Sequence, residues 1–185
     1  MTKKIGIIVG SLRKKSYSKA IAKAMAKMFP EGYETTFIQI GDLPFFNQDF
    51  EDGELAEPQS YATFRNQVKD VDAILFVTPE YNRSVPAVLK NAIDVGSRPY
   101  GQSIWDGKPA AIISETPGST GAFGANHHLR QSLVFLNMPT LQQPEAYLGG
   151  VSNYISETDG SITNKGTKKF LQSIVDAFVE LIQRY

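Results

Sequence analysis

The sequence predicts an α/β fold, a doubly wound sheet of five parallel strands with helices on both faces. Short apolar runs rich in β-branched residues alternate with segments whose apolar residues recur at helical spacing. This alternation is typical of a parallel sheet, because a crossover helix must return the chain to the same edge after each strand. The predicted strands are apolar throughout, as expected where helices cover both faces. With 185 residues, the chain is expected to form one domain over residues 1–185.

The first strand is predicted over residues 5–9 and breaks at Gly10. A helix follows, and Ser18 is its expected N-terminal cap, because a hydroxyl can accept one of the unpaired backbone N–H groups. Residues 30–32, Pro-Glu-Gly, are expected to end this helix. Its inward face is expected to carry Ile21, Ala24, Met25 and Met28.

A second strand is predicted over residues 33–40. A loop over residues 41–58 leads from it to a helix over residues 58–69. The expected inward side chains of that helix are Tyr61, Phe64 and Val68.

The central strand is predicted over residues 71–78 and the next helix over residues 87–94. Ser84 is expected to cap this helix, and Pro86 to lie in its first turn, where a missing N–H group breaks no hydrogen bond. The polar residues 79–84 leave the carboxyl end of a central strand. Open α/β sheets bind their ligands at that edge.

The second half of the chain supplies two more strands, over residues 110–114 and 140–148, and a loop over residues 149–166. The helix between the two strands is expected to bury Leu129, Leu133 and Leu136. The last helix is predicted from the spacing of Phe170, Leu171, Ile174, Phe178, Leu181 and Ile182.

The composition excludes several classes of function. Lys and Arg number 19, as do Asp and Glu, so no net charge attracts nucleic acid or an anionic membrane. The chain has no cysteine, which excludes disulfides and thiolate metal sites. The sequence shows neither an apolar run long enough to span a membrane nor a signal peptide, and a cytoplasmic protein is expected. His127 and His128 are adjacent and lack further ligands, so no metal site is expected.

Residues 10–18, GSLRKKSYS, offer several groups that bind phosphate. Ser11, Ser16 and Ser18 supply hydroxyls and Arg13 supplies a guanidinium, next to the N–H groups that begin a helix. Taken alone, the stretch is as consistent with an ordinary turn capped by Ser18. It is not a Walker A loop, because the glycine spacing and the Lys-Ser/Thr pair are missing.

Two further loops follow the third and fourth strands. Residues 79–84 can present backbone N–H groups to the polar edge of a ring, with Tyr81 and Asn82 adding side-chain surface; alternatively they form a polar turn. Glu80 is a candidate general acid, but no second carboxylate is spaced to act with it. The glycines after the fourth strand do not match the dinucleotide fingerprint and indicate either a loop or close approach to a flat ring. They are Gly118, Gly121 and Gly124.

Three ordered blocks of the chain resemble the NADPH-dependent FMN reductase family, which includes bacterial quinone, azo-dye and chromate reductases. The blocks are GSLR at 10–13; PEYN at 79–82 with LKNAID at 89–94; and WDGKP at 105–109 with the turn at Pro117-Gly118. The resemblance extends to about Gly150. The family often has Asn at the position of Ser18, where a hydroxyl can replace one amide donor.

The resemblance implies a flavodoxin-like fold with strand order 2-1-3-4-5 and FMN at the switch between strands one and three. It also implies NADH or NADPH as reductant and a small-molecule electron acceptor: a quinone, an azo dye, free flavin or chromate. The flavin performs the chemistry in a two-electron ping-pong cycle, so no catalytic side chain is expected. The residues expected to bind FMN are Ser11, Arg13, Ser16, Tyr17, Ser18, Pro79, Glu80, Tyr81, Asn82, Ser84, Thr116, Pro117, Gly118 and Ser119.

Two other functions share this topology. A one-electron flavodoxin carrier would also bind FMN, but it typically presents an acidic docking surface, whereas the charges here balance. A response-regulator module needs paired acids after strand one and an acceptor Asp after strand three. The chain has Gly10-Ser11 and Pro79-Glu80 at those places, so the enzyme is the favoured interpretation.

The resemblance also implies self-association to a dimer or tetramer, with Arg130 and Glu145 at positions that form intersubunit contacts in relatives. Monomeric proteins seldom leave many large apolar groups uncovered in connecting segments. Such groups form either an accessory core or a two-fold interface, and the resemblance favours the interface, with Trp105 as a central residue. They are Phe45, Phe46, Phe50, Tyr100, Ile104 and Trp105.

Overall fold

The computed structural model describes residues 2–156 and 158–185 and contains a five-stranded parallel sheet. The strands lie in the order β2-β1-β3-β4-β5, and every neighbouring pair is parallel. The predicted flavodoxin-like order 2-1-3-4-5 is therefore confirmed. The strands are β1 (Lys3–Val9), β2 (Tyr33–Phe37), β3 (Ala73–Pro79), β4 (Ala110–Thr116) and β5 (Ala146–Gly149).

Five α-helices cover the two faces of the sheet. Two single 3-10 turns, Gln48–Phe50 and Val151–Asn153, lie in the loops. Within the described ranges, the helices are too short or too polar for any of them to cross a membrane. The helices are α1 (Tyr17–Ala26), α2 (Gln59–Lys69), α3 (Ala87–Gly96), α4 (Phe123–Phe135) and α5 (Lys165–Ile182).

The central strand β3 is apolar because both of its faces are covered. Ile74 and Phe76 point into the core beneath α2, α3 and α4, whereas Leu75 and Val77 point into the core beneath α1 and α5. All four side chains have no exposed surface. Burying each one contributes roughly 1.5–3 kcal/mol, so β3 holds the two layers together and fixes where its carboxyl end emerges.

The inward helix faces follow the predictions with one exception. The predicted core residues of α2 are buried, as are Leu129, Leu133 and Leu136 at α4. Ala24 of α1 and Met28, which lies beyond the end of α1, are only half-buried, and the face is completed by Ser18 and Ala22 instead. A polar residue, Ser18, thus takes a place in the layer between α1 and the sheet.

Both predicted helix caps are wrong. Ser16 caps α1: its Oγ accepts the backbone N–H of Lys19 at 3.2 Å, while Ser18 lies one residue inside the helix. Pro86 is the N-cap of α3, with no side-chain cap, and the Ser84 hydroxyl instead lies 2.9 Å from Nδ1 of His128. Neither Ser18 nor Ser84 therefore caps a helix, and the hydroxyl of each bonds to a neighbouring element instead.

Strands β2 and β5 are shorter than predicted. The segment over residues 33–40 pairs as a strand only to Phe37, and Ile38 and Ile40 bury their side chains beneath α2 from a loop. In the segment over residues 140–148, Thr140 makes an isolated bridge and pairing resumes at Ala146. Pro144 interrupts the run, because proline has no N–H group to donate to a neighbouring strand.

The prediction that Trp105 forms an interface is wrong, because its side chain is fully buried. Its indole Nε1–H donates to the carbonyl of Ile93 at 3.0 Å. The ring lies on Gly96, where a β-carbon would approach it to 2.5 Å. Ile104 is buried in the same core cluster, and Phe46 and Phe50 pack against that cluster, whereas Phe45 and Tyr100 remain exposed.

Candidate active site

The loop between β1 and α1 forms a basic rim at the amino end of α1. Gly10 leaves the sheet close to β3, since its N–H donates to the Val77 carbonyl at 2.8 Å and a β-carbon would lie 2.6 Å from Oγ1 of Thr78. The following residues Arg13, Lys14 and Lys15 are exposed. The first turn of α1 contains no acidic residue. Hydroxyls, cations and free helix N–H groups together form a donor set suited to a phosphate dianion.

A buried carboxyl group lies behind this loop. The Ser18 hydroxyl donates to Oε1 of Glu115 at 2.5 Å, and only 3% of Glu115 is exposed. Burial raises the pKa of Glu115 above its ordinary value of 4.5, and the hydrogen bond from Ser18 opposes that rise. Among the described residues, no donor reaches Oε2. A charged residue inside the apolar run at 110–116 was the sequence signal for this group, which the sequence analysis did not single out.

The loop at 79–84 is a two-residue hairpin with an unusual backbone. Tyr81 and Ser84 exchange backbone hydrogen bonds of 3.1 and 3.0 Å, and between them Asn82 and Arg83 both have positive φ angles, of 50° and 65°. Left-handed conformations are costly for residues other than glycine and occur often at functional sites. The turn presents the exposed side chains of Tyr81 and Asn82 at the carboxyl edge of the sheet.

Glu80 fastens this hairpin to α4. Its Oε2 accepts the backbone N–H of Ala125 at 3.0 Å in the first turn of α4, and its Oε1 lies 3.4 Å from Arg83. Gly124 allows this approach, because a β-carbon there would lie 2.7 Å from the Arg83 carbonyl oxygen. The carboxylate of Glu80 therefore stabilises a helix terminus, which accounts for an acid at this position without a catalytic role.

The glycines of the loop after β4 differ in what surrounds them. Gly121, with φ of 61°, packs against the backbone of Tyr147, where a β-carbon would be only 2.6 Å away. Like Gly124, Gly121 therefore allows a close contact within the protein rather than with a ligand. At Gly118 a β-carbon would make only an ordinary contact, with Oγ1 of Thr116 at 3.6 Å. Residues 116–119 thus remain available along this edge.

The three loops come together because β1, β3 and β4 are neighbours. The register pairs Val9 with Val77, and Pro79 with Glu115, so all three strands end at one edge. The sequence-predicted site residues differ in exposure. Ser16 and Ser18 are buried; Ser11, Tyr17, Pro79, Glu80, Ser84 and Thr116 are half-buried; Arg13, Tyr81, Asn82, Pro117, Gly118 and Ser119 are exposed.

The two adjacent histidines of α4 point to different elements. His128 reaches the hairpin through Ser84, whereas Nε2 of His127 lies 2.9 Å from the Tyr147 hydroxyl. Tyr147 in turn donates to Glu145 at 2.9 Å. Among residues 2–156 and 158–185, no group of three or more metal-ligating side chains occurs.

Arg130 also makes its contacts within the chain. Its Nε donates to Oδ1 of Asn126 and its Nη1 donates to the Leu141 carbonyl, each at 2.9 Å.

A basic groove of about 920 Å³ runs along the outer side of α1 and begins at the β1–α1 loop. Residues 155, 156 and 158–162 line its other side, where the Ser161 N–H donates to Asp159 and lowers the pKa of Asp159 to about 2. Among the described lining residues, Asp159 carries the sole negative charge. The overall neutral chain thus concentrates positive charge beside the candidate site. The cationic residues are Arg13, Lys14, Lys15, Lys19, Lys23, Lys27 and Lys168.

Comparison with known proteins agrees with this geometry. The model of a family described as NADPH-dependent FMN reductase matches residues 3–152. The chain belongs to this family. The reductase is therefore an FMN-dependent oxidoreductase that uses NAD(P)H, as the sequence predicted.

Individual relatives cover almost the whole reductase. It is 52% identical over 179 residues to a quinone reductase of Pseudomonas putida, covering 97% of this chain and 94% of the relative. It is 41% identical over 183 residues to a 2-hydroxy-1,4-benzoquinone reductase of a Burkholderia species, covering 99% and 98%. Among solved structures, FerB of Paracoccus denitrificans, a flavoenzyme NAD(P)H:(acceptor) oxidoreductase, matches with a TM-score of 0.90 and 41% identity over 98% of each chain.

Proposed function

We propose that the reductase transfers two electrons from NADH or NADPH to a quinone, with FMN held at the carboxyl edge of β1, β3 and β4. The observation that carries the proposal is the meeting of three ligand-suited loops at that edge in a chain that is 52% identical to a quinone reductase. Azo compounds, free flavin and chromate are further candidate acceptors. A cytoplasmic location is part of the proposal, because reduced nicotinamide nucleotides are available there.

The residues of the β1–α1 loop fit the phosphate group of FMN. Ser11, Arg13 and Ser16 supply donors in the loop, with Tyr17 and Ser18 beginning the helix whose N–H groups face an anion. Ser16 already caps Lys19, so its hydroxyl orients the helix start while it can still donate its own hydrogen.

The flavin ring fits between the other two loops. The hairpin supplies backbone groups and side chains from Pro79, Glu80, Tyr81, Asn82 and Ser84, held in place by the bond of Glu80 to α4. The loop after β4 lines the opposite side with Thr116, Pro117, Gly118 and Ser119. When bound there, FMN supplies the hydride chemistry, and the chain supplies position and electrostatics.

The three loops would leave one face of a bound flavin open to solvent, and a single open face would impose an order on the reaction. Nicotinamide and acceptor must each lie against the same face, so one must leave before the other can bind. Ping-pong kinetics follow from this shared site.

Self-association to a dimer or tetramer is also proposed. Val134 and Phe135, at the end of α4, are 69% and 87% exposed, and Phe123 at its start is 52% exposed. Large adjacent apolar groups on one helix are an unfavourable surface for a monomer in water.

The proposed reaction is tested by anaerobic titration of the FMN-loaded protein. NADPH should bleach the flavin spectrum, a quinone should restore it, and double-reciprocal plots at several quinone concentrations should be parallel. A spectrum that stops at the one-electron level would instead indicate an electron carrier. Intersecting lines would contradict the shared site, and a protein that takes up no FMN would contradict the proposal as a whole.

A further inference from the structure

Glu115 occupies an unusual position for an acidic residue. It lies at the carboxyl end of β4 on the side of the sheet that α1 covers, bonded to the second residue of α1 and almost fully removed from water. One carboxyl oxygen, Oε2, has no donor among the described residues. An ionised carboxylate in such a place is costly, because burial removes its hydration and one hydroxyl replaces little of it.

Among the described residues, no cationic side chain acts on the pKa of Glu115. Its register partners, Pro79 on β3 and Leu148 on β5, are uncharged. Burial, together with the charge of Glu115, raises the pKa of Tyr154 above its ordinary value of 10, so this neighbouring phenol is neutral at physiological pH. The nearby cations of the β1–α1 loop are exposed and point to solvent. The amino end of α1, reached through Ser18, is the one favourable partner for a negative charge on Glu115.

The amino end of α1 is also the proposed phosphate site. Glu115 approaches this helix end from the side of the sheet, whereas the phosphate would approach it from solvent. We propose that Glu115 sets the affinity for FMN: its carboxylate and the FMN phosphate compete for the amino end of α1, so that phosphate binding drives Glu115 to take up a proton. This inference rests on the proposed cofactor site. The proton comes from solvent and converts the carboxylate to the neutral acid, which can donate to a hydroxyl or phosphate oxygen.

The inference is tested with Glu115→Gln, which keeps the shape and the hydrogen-bonding capacity but cannot ionise. FMN affinity of wild type and E115Q is measured by flavin fluorescence between about pH 5 and pH 9, with riboflavin as the ligand that lacks the phosphate. E115Q should bind FMN roughly tenfold tighter at the alkaline end, the scale of like charges a few ångströms apart. The two proteins should converge at the acid end, and riboflavin should show no such difference.

A second measurement uses the wild-type protein alone. At about pH 8 the phosphate is already a dianion, since its second pKa is near 6, so FMN itself has no proton to release. Mixing FMN with wild type in weak buffer should therefore consume protons from solution, whereas riboflavin should consume none. This readout remains decisive if E115Q folds poorly.

Unfolding of the FMN-free protein in urea measures how the charge of Glu115 affects stability. Because the pKa of Glu115 is raised in the folded protein, its stabilising effect is complete below the ordinary value of 4.5 and is lost as pH rises through the raised value. Wild type should therefore lose stability relative to E115Q as the solution becomes alkaline.

The outcomes separate the two proposals. FMN profiles that run parallel for both proteins, with no proton uptake, would overturn the role of Glu115 and leave the cofactor site intact. A failure of both proteins to bind FMN at any pH would overturn the cofactor site and this inference together.

Discussion

Arg13 and the two lysines that follow it in the β1–α1 loop are all cations, but we expect them to have different roles. Arg13, Lys14 and Lys15 are all exposed cations, but Arg13 stands nearest Ser11, whose Oγ lies 3.4 Å from the Arg13 backbone N–H. The Arg13 guanidinium can donate hydrogen bonds to two phosphate oxygens at once, whereas a lysine acts as a point charge.

Replacing Arg13 by Ala should weaken FMN binding by about 1.5–3 kcal/mol, the scale of a charged hydrogen bond. Riboflavin affinity should change far less. Lys14→Ala is the matched control, because it removes a neighbouring exposed cation and should have a smaller effect that vanishes in salt. Equal losses of FMN and riboflavin affinity in R13A would place the phosphate elsewhere.

At this scale the sequence predicted the three loops that end at one edge of the sheet, but not which way each side chain points. Ser16 and Ser18 are both able to cap a helix, and the choice depended on a carboxyl group 97 residues away from Ser18. Trp105 was misplaced for a similar reason. The space for its ring is created by Gly96, and no local pattern around Trp105 reveals that gap.

The hairpin at 79–84 stores backbone strain at two consecutive residues, Asn82 and Arg83. A two-residue turn between paired residues favours two left-handed residues, since that conformation matches the twist of the flanking strands. Asn tolerates it well, whereas the side chain of Arg83 can offset the cost only through its long contact with Glu80. Its ion pair with Glu80 spans 3.4 Å with the arginine 78% exposed, so that contact adds little.

Arg83→Gly should therefore raise the free energy of unfolding by about 0.5–1 kcal/mol, after subtracting the extra freedom of glycine in the unfolded chain. The midpoint of urea denaturation should increase with an unchanged slope. Arg83→Val, with a branched β-carbon, should lower the midpoint instead. If R83G were less stable than wild type, the side chain of Arg83 would contribute more than its exposed position indicates.

Elements were predicted well where burial on both faces dictates an unbroken apolar run, as in β1, β3 and β4. The predictions failed at the edges of the sheet. Ile38 and Ile40 look like strand residues because they are buried, but a loop can bury a side chain as well as a strand can. Strand order came from the family resemblance, because alternating elements alone allow several orders.

Two large apolar side chains lie exposed at the end of α4. Val134 and Phe135 are adjacent there, and neither is needed for the core. Replacing Phe135, which is 87% exposed, should therefore leave the fold unchanged.

Light scattering at micromolar protein should report at least a dimer for the wild type. Phe135→Asp should reduce the mass, because a charge would be buried unpaired in the interface. Tyr185→Asp, at a residue that is 66% exposed on α5's carboxyl side, is the control and should change nothing. A wild-type protein that remains monomeric with FMN bound would contradict the proposed assembly.

The basic groove along α1 affects how fast ligands arrive as well as where they bind. FMN, NADPH and chromate are all anions, and a chain with balanced charges would give their diffusion no preferred direction. Seven cations on one side create a local field that extends about 8 Å at physiological salt. Collisions of anions are therefore biased toward the loop of Arg13, and this bias weakens as salt is added. We therefore expect the groove to speed the arrival of FMN and NADPH, whereas the arrival of an uncharged quinone should not change.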